Sequence, residues 1–181
     1  DTGAVVNGSF DATDGTVTVV VTDSTGAPVA GTVTVTGNSW VFTPAAALVE
    51  GSYTIVATIT DVAGNTATDT QVMVIDTTID QDNDGVTVSI DSMTDDTGSS
   101  ATDFISNDTG AVINGSFDAT DGDVTVVVTD STGAPVAGTV TVTGNGWVFT
   151  PAAALAEGNY TIVATITDVA GNTATDTQVM V

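Results

Sequence analysis

The chain has 181 residues, of which 23 are acidic and none is Lys, Arg or His, for a formal charge of −23. That balance excludes internal salt bridges, an Arg or Lys clamp on an anion, and nucleic acid as a partner, because its phosphates would be repelled. It also excludes a Ser-His-Asp triad and a Cys or Lys nucleophile, leaving only a two-carboxylate glycosidase, for which nothing marks a cleft.

Twenty-one of the acids are Asp, and only Glu50 and Glu157 are Glu. Asp is a turn residue and a hard-cation ligand, whereas Glu belongs on helix surfaces, so the imbalance indicates a loop-rich β protein that binds metal. Disorder is not expected, because 41% of the residues are hydrophobic and the mean hydropathy is positive. Val, Ala and Ile set among many Thr form a strand composition. With no cysteine there are neither disulfides nor thiolate metal sites. No apolar run approaches the roughly 18 residues of a membrane span, and no basic-then-apolar leader opens the sequence. The sequence is expected to begin inside a larger polypeptide.

Residues 1–74 return as residues 108–181 without a gap and with five differences: Val6/Ile113, Thr16/Asp123, Ser39/Gly146, Val49/Ala156 and Ser52/Asn159. A period of 107 residues implies a tandem array of domains, each with its own core, rather than a solenoid. The expected organisation is a repeat over 1–75 that lacks its first strand and following loop, an acidic linker over 76–84, and a complete repeat over 85–181. A first copy without that strand has an exposed sheet edge and should be the less stable one.

Within the complete repeat, alternation predicts strands at 85–90, 111–117, 123–129, 138–143, 147–150, 160–167 and 173–181. Turn residues separate them at Ser131–Pro135, Gly144–Gly146 and Asp168–Asn172. Seven short strands in about 100 residues indicate an all-β, immunoglobulin-like sandwich. Tyr160, Ile162, Ala164 and Ile166 share one face and, with Trp147 and Phe149, are the expected core. Thr150-Pro-Ala before Gly158 predicts a single helical turn between two strands.

The densest carboxylate cluster is the linker, with Asp76 leading to Asp80, Asp82 and Asp84 before Gly85. Asp at alternate positions followed by Gly lets carboxylates curl around one ion such as calcium. Asp91 occupies the twelfth position of an EF-hand loop counted from Asp80, yet no helix flanks the loop. Along a strand Asp91 would lie about 20 Å from Asp84. Up-and-down strands bring the loops holding Asp121 and Asp123, and Asp168, to the linker's pole, with Asp95, Asp96 and Asp103 at the opposite one. Any single Asp is equally well read as a solvated turn residue; three within five residues repel strongly unless neutralised. Asp-Thr-Gly at Asp1, Asp96 and Asp108 is also the aspartic-protease core, but the later two triplets follow polar residues rather than an apolar strand. Asn-x-Ser/Thr at Asn7, Asn107, Asn114 and Asn159 is expected by chance in this composition.

The runs Thr167-Asp-Val-Ala-Gly-Asn-Thr173, Glu157-Gly-Asn-Tyr-Thr161, Gly146-Trp-Val-Phe-Thr150 and Ile90–Asp108 resemble the bacterial immunoglobulin-like domains of giant surface adhesins, most closely the extender region of RTX adhesins. The resemblance implies calcium at domain junctions, ligands at Asp80, Asp82, Asp84 and Asp168, and Asp61 as the equivalent in the first copy. The linker is longer than the short junction of many relatives, which leaves the ion count and ligand set open. It further implies a non-enzymatic, extracellular spacer on a bacterial surface, monomeric, with neighbouring repeats as its partners. A glycan- or protein-binding module and a surface-layer component are the alternative readings.

Overall fold

The computed structural model describes residues 2–181, so Asp1 and its triplet lie outside the described residues. The chain divides into two compact units, Asp1–Thr77 and Thr78–Val181. Unit 1 holds β1 (Val6–Ser9), β2 (Thr16–Asp23), β3 (Gly31–Thr36), β4 (Ser39–Pro44), β5 (Gly51–Thr60) and β6 (Thr66–Ile75). Unit 2 holds β7 (Val88–Met93), β8 (Ile113–Phe117), β9 (Asp123–Asp130), β10 (Gly138–Thr143), β11 (Gly146–Pro151), β12 (Tyr160–Thr167) and β13 (Thr173–Met180). In unit 1 the sheets run β1-β4-β3 and β2-β5-β6; in unit 2 they run β10-β11-β8-β7 and β13-β12-β9. All pairs are antiparallel.

The core of unit 2 is the face that alternation selects. Ile162, Ala164 and Ile166 of β12 are fully buried, with Trp147 and Phe149 of β11 and Ile113 of β8 against them. With no cysteine to bridge them, the two sheets are joined by core packing and by the Ile90 amide of β7 donating to Asp176 Oδ2 of β13 at 2.8 Å. The Trp147 indole lies directly on the β8 backbone: a Cβ on Gly115 would stand 2.1 Å from the ring and 2.3 Å from the Ser89 carbonyl. Only glycine lets the ring approach that closely.

Two sequence expectations are corrected. The first strand of unit 2 spans Val88–Met93 rather than 85–90, because the amides of Asp84, Gly85 and Val86 donate to linker carboxylates instead of a neighbouring strand. Asp91 thus stands inside β7, which is incompatible with an EF-hand loop. The helical turn after Thr150 does not form either. Pro151 continues β11 opposite Gly138, the Ala152 amide donates to Ala137 O (2.9 Å) and the Leu155 amide to Thr109 O (2.7 Å). With those donors committed to neighbouring chain segments, no helical hydrogen bond remains for them to make.

Turns are closed by Asp rather than by basic groups. Asp130 Oδ1 accepts the Thr132 amide (2.8 Å), the Thr132 hydroxyl (2.6 Å) and the Ala134 amide (3.0 Å), and Gly133 takes φ of 84°. The Thr132 hydroxyl, then the two amides, hold the Asp130 carboxyl below its ordinary value of 3.8. Asp23 repeats the arrangement in unit 1 with Thr25 and Ala27.

The units differ chiefly in that β1 pairs with β4 alone, while its counterpart β8 pairs with both β11 and β7. Along β8 the pattern alternates buried and half-buried; along β1 it alternates half-buried and exposed. Ala57 and Ile59 of β5 are half-buried where Ala164 and Ile166 are fully enclosed. Calorimetric heating should therefore give two transitions, with unit 1 unfolding first. Ile162→Ala should cost unit 2 about 2–5 kcal/mol in denaturant unfolding, and Ile55→Ala should cost unit 1 less, because its pocket is already partly open.

Candidate metal centre

The segment before β7 coils on itself through its own carboxylates. The Asp84 amide donates to Asp80 Oδ1 and Asp82 Oδ1, both at 3.2 Å, and the Gly85 amide to Asp80 Oδ2 at 3.0 Å. Asn83 and Gly85 adopt φ of 58° and 79°, the left-handed conformation such a tight coil needs. The loop between β8 and β9 meets this coil: the Gln81 amide donates to Asp121 Oδ1 (3.0 Å) and the Asp118 amide to Thr87 O (2.8 Å).

These contacts assemble two overlapping groups of carboxylates. Oxygens of Asp80, Asp82 and Asp121 lie within 4.8 Å of one another, as do those of Asp82, Asp84 and Asp118. Asp82 belongs to both. Asp121 is only 1% exposed, and its Oδ2 has no hydrogen-bond partner among the described residues. A buried, unpartnered carboxylate oxygen is costly unless a cation or a proton meets it. Beside it is a cavity of about 330 Å³ lined by Gln81, Asp121, Asp123 and Asp168, among others. The donors are all hard oxygens, the set that suits calcium or magnesium and not a soft transition metal.

Asp118 heads the loop that the sequence reading brought to the linker's pole, but it was not among the expected ligands. It looks like an ordinary turn opener, since its Oδ1 accepts the amide and hydroxyl of Thr120 at 2.7 and 2.8 Å. Its signal was its place at the head of a loop already carrying Asp121 and Asp123. Asp123 lines the cavity but stands outside both carboxylate groups. Asp168 also lines it, with its carboxylate committed to its own turn: the Ala170 and Asn172 amides at 2.8 Å and the Asn172 side chain at 2.7 Å. Asn172 also reaches Thr78 O at 3.4 Å, tying this turn to the start of the coil.

The other nominated acids are not gathered here. Asp61 closes the equivalent turn of unit 1 with Asn65. Asp76 precedes the coil, in unit 1. At the far pole of unit 2, Asp96 accepts the Phe104 amide (3.1 Å), Asp103 accepts the Ile105 amide (3.2 Å), and Asp95 takes φ of 49°. Those three belong to neither carboxylate group. In unit 1 the counterparts of Asp118 and Asp121 are Asp11 and Asp14, both exposed.

Electrostatics separates the members. At Asp82 the Asp84 amide favours the charged form, but desolvation and repulsion from Asp84, Asp118 and Asp121 outweigh it and raise the carboxyl above 3.8. At Asp118 the Thr120 amide and hydroxyl lower it. At Asp168 burial opposes ionisation, yet the hydrogen bonds from Asn172, Gly171 and Ala170 together leave it lowered. Without a bound cation, the raised Asp82 contributes stability that is full below 3.8 and lost as pH rises through its folded value. Asp118 and Asp168 contribute above 3.8 and lose that contribution as pH falls through their depressed values.

Two antiparallel sheets packed face to face around an aromatic and aliphatic core define an immunoglobulin-like module. The chain belongs to the bacterial Ig-like domain family, whose model matches residues 6–81 and 83–181. No curated protein matches it. An I-band fragment of titin is similar over 98% of this chain and 59% of its own length, at 12% identity and a TM-score of 0.47. A tetra-tandem repeat in the extending region of a large adhesion protein is similar over 98% of this chain and 45% of its own, at 26% identity and a TM-score of 0.36. The chain thus spans less than two thirds of either.

Two outcomes test the centre. Asp121→Asn, which keeps an acceptor for Gln81 and removes the buried charge, should raise the thermal midpoint in chelator and weaken calcium binding by calorimetry on the order of tenfold or more. Calcium affinity should also fall as the buffer is taken from about pH 7 towards 4. Asp82 contributes to that loss, because desolvation and repulsion from Asp84, Asp118 and Asp121 outweigh the Asp84 amide and make it take up a proton more readily than an ordinary Asp.

Proposed function

We propose that this chain is a calcium-stiffened spacer segment of a bacterial cell-surface adhesin, holding a distal adhesive domain away from the cell. The single observation that carries the calcium part is the buried, unpartnered Oδ2 of Asp121 beside the linker carboxylates. A hard divalent cation supplies the positive charge that a chain without Lys, Arg or His cannot. Calcium suits the site better than magnesium, because an irregular coil of carboxylates tolerates its variable coordination, whereas magnesium demands near-ideal octahedral geometry. Asp80, Asp82, Asp84, Asp118 and Asp121 are the proposed ligands.

Family membership, near-identical tandem repeats and the resemblance to RTX extender modules support the spacer reading. Once an ion neutralises the coil, mutual repulsion no longer drives its carboxylates apart, and the opening segment of unit 2 loses freedom. Cation binding to the ordered coil also stabilises unit 2 by mass action, about 2.7 kcal/mol when the ion is at a hundred times its dissociation constant. A glycan-gripping module would display aromatic side chains. Here every Trp and Tyr is buried, as are all Phe except the half-buried Phe10.

Small-angle scattering of the whole chain, in millimolar calcium and then in chelator, tests the proposal. The maximum dimension should be sharply defined with calcium and broaden on chelation. An unchanged distribution would overturn the stiffening role.

A further inference from the structure

Asp176 stands in the middle of β13, away from every turn and outside both carboxylate groups. Its side chain serves as a tie. Oδ2 accepts the Ile90 amide of β7 at 2.8 Å, and Oδ1 accepts the Thr177 amide of its own strand at 2.8 Å. Since β7 borders one sheet and β13 the other, the tie crosses from sheet to sheet along their edges. A second tie lies at the far pole. The Val181 amide donates to Phe104 O at 2.8 Å, and the Ser106 amide donates to Val181 O at 2.9 Å. One residue bonded to the carbonyl before Ile105 and the amide after it has the hydrogen-bond pattern of a parallel bridge. Phe104 itself is buried in the core.

Strand direction gives these ties a mechanical sense. The chain enters β7 from the acidic coil, and the Asp118 amide, just past the end of antiparallel β8, meets Thr87 O there. It enters β13 from the Asp168 turn, which Asn172 links to Thr78 O, and leaves it at the far pole beside Phe104. The first and last strands of unit 2 therefore run the same way. Tension along the chain draws β7 towards the coil and β13 towards the far pole. The two strands are pulled lengthwise past each other, and bonds that cross such a slide are loaded together. A strand peeled sideways would instead lose its bonds one at a time.

We propose that Asp176 and the Val181 bridge form a load-bearing clamp, which under tension passes force directly from the first strand of unit 2 to the last. The core between them is then spared. A carboxylate suits this task, because a hydrogen bond to an ionised acceptor is roughly twice as strong as one between neutral groups. The Thr177 amide holds the carboxylate in place, so the tie is taut before load arrives. The inference rests on the spacer reading, which puts the chain under tension, and does not depend on the cation centre.

Single-molecule force spectroscopy of the whole chain, held at its two ends in chelator, tests the clamp. Unit 2 is recognised by the greater length of chain it releases on yielding. At constant load Asp176→Ala should make it yield about tenfold faster. Asp176→Asn keeps an acceptor and should fall between that variant and the unaltered chain. A second pulling geometry separates clamping from ordinary stability. The chain has no cysteine, so Ser131→Cys and Asn145→Cys, both at exposed positions, give unique handles in two turns at opposite ends of the unit. Force applied there enters through neither β7 nor β13, and Asp176→Ala should change the rate far less. Indifference to Asp176→Ala in end-to-end pulling would overturn the clamp. Equal effects in the two geometries would overturn it as well, since Asp176 would then be a general stabiliser. Because the rates are read without calcium, failure of the stiffening role leaves this result unchanged.

Discussion

The constraint on which everything else depends is negative charge without a basic partner. No carboxylate in this chain can meet an ammonium, guanidinium or imidazolium group. Each must be satisfied by water, by a backbone amide, by a hydroxyl or by an ion from solution. The Asp130 and Asp168 turns show the amide solution, in which one oxygen gathers donors from the next two to four residues. Such turns are cheap to form and hold the strands in register. They also lower the carboxyl, so the charge persists to more acid pH than on an ordinary Asp.

The acidic coil is where this device is used to its limit. Asp80 and Asp84 collect amides from the coil itself, and Asp121 takes one from Gln81, but the second oxygen of Asp121 is enclosed with nothing to accept. Crowding shows at Asp82, where three neighbouring carboxylates help push the carboxyl upward. An arrangement that concentrates like charge around a buried oxygen is poorly suited to a free protein. It is well suited to a hard cation.

The near-identity of the two units separates local from tertiary causes unusually cleanly. Five substitutions in 74 aligned positions leave the strand positions essentially unchanged, so local sequence sets where each strand lies. Burial does not follow. Ala4, Asp11, Asp14 and Ala57 are more exposed than Ala111, Asp118, Asp121 and Ala164, though each pair is identical in type. What differs is the stretch Thr78–Asn107, to which nothing in residues 1–74 corresponds: Val88–Met93 pairs along β8, Met93 and Phe104 are buried in the core, and the acidic coil meets the loop between β8 and β9.

Alternation of apolar residues fixed the strands, the inward face of β12 and the partnership of Trp147 with Phe149, because a pleated strand facing a core leaves that period directly in the chain. Turn chemistry marked the loops for the same local reason. The misplaced start of β7 and the absent helical turn at Thr150 have a common origin: which acceptor an amide finds depends on segments distant in sequence, Asp80 in one case and Ala137 and Thr109 in the other. The linker carboxylates were legible from spacing alone. Up-and-down topology already brought the loop of Asp121 to the linker's pole; the enclosure of Asp121 and the gathering of Asp118 with Asp82 and Asp84 were not legible, since both depend on how that loop packs on the coil. By itself the sequence determined the charge, the repeat and the pattern of strands. Only the tertiary structure decided which carboxylates share a space and which of two identical residues is enclosed, because proximity across a sandwich is set by packing rather than by neighbours in the chain.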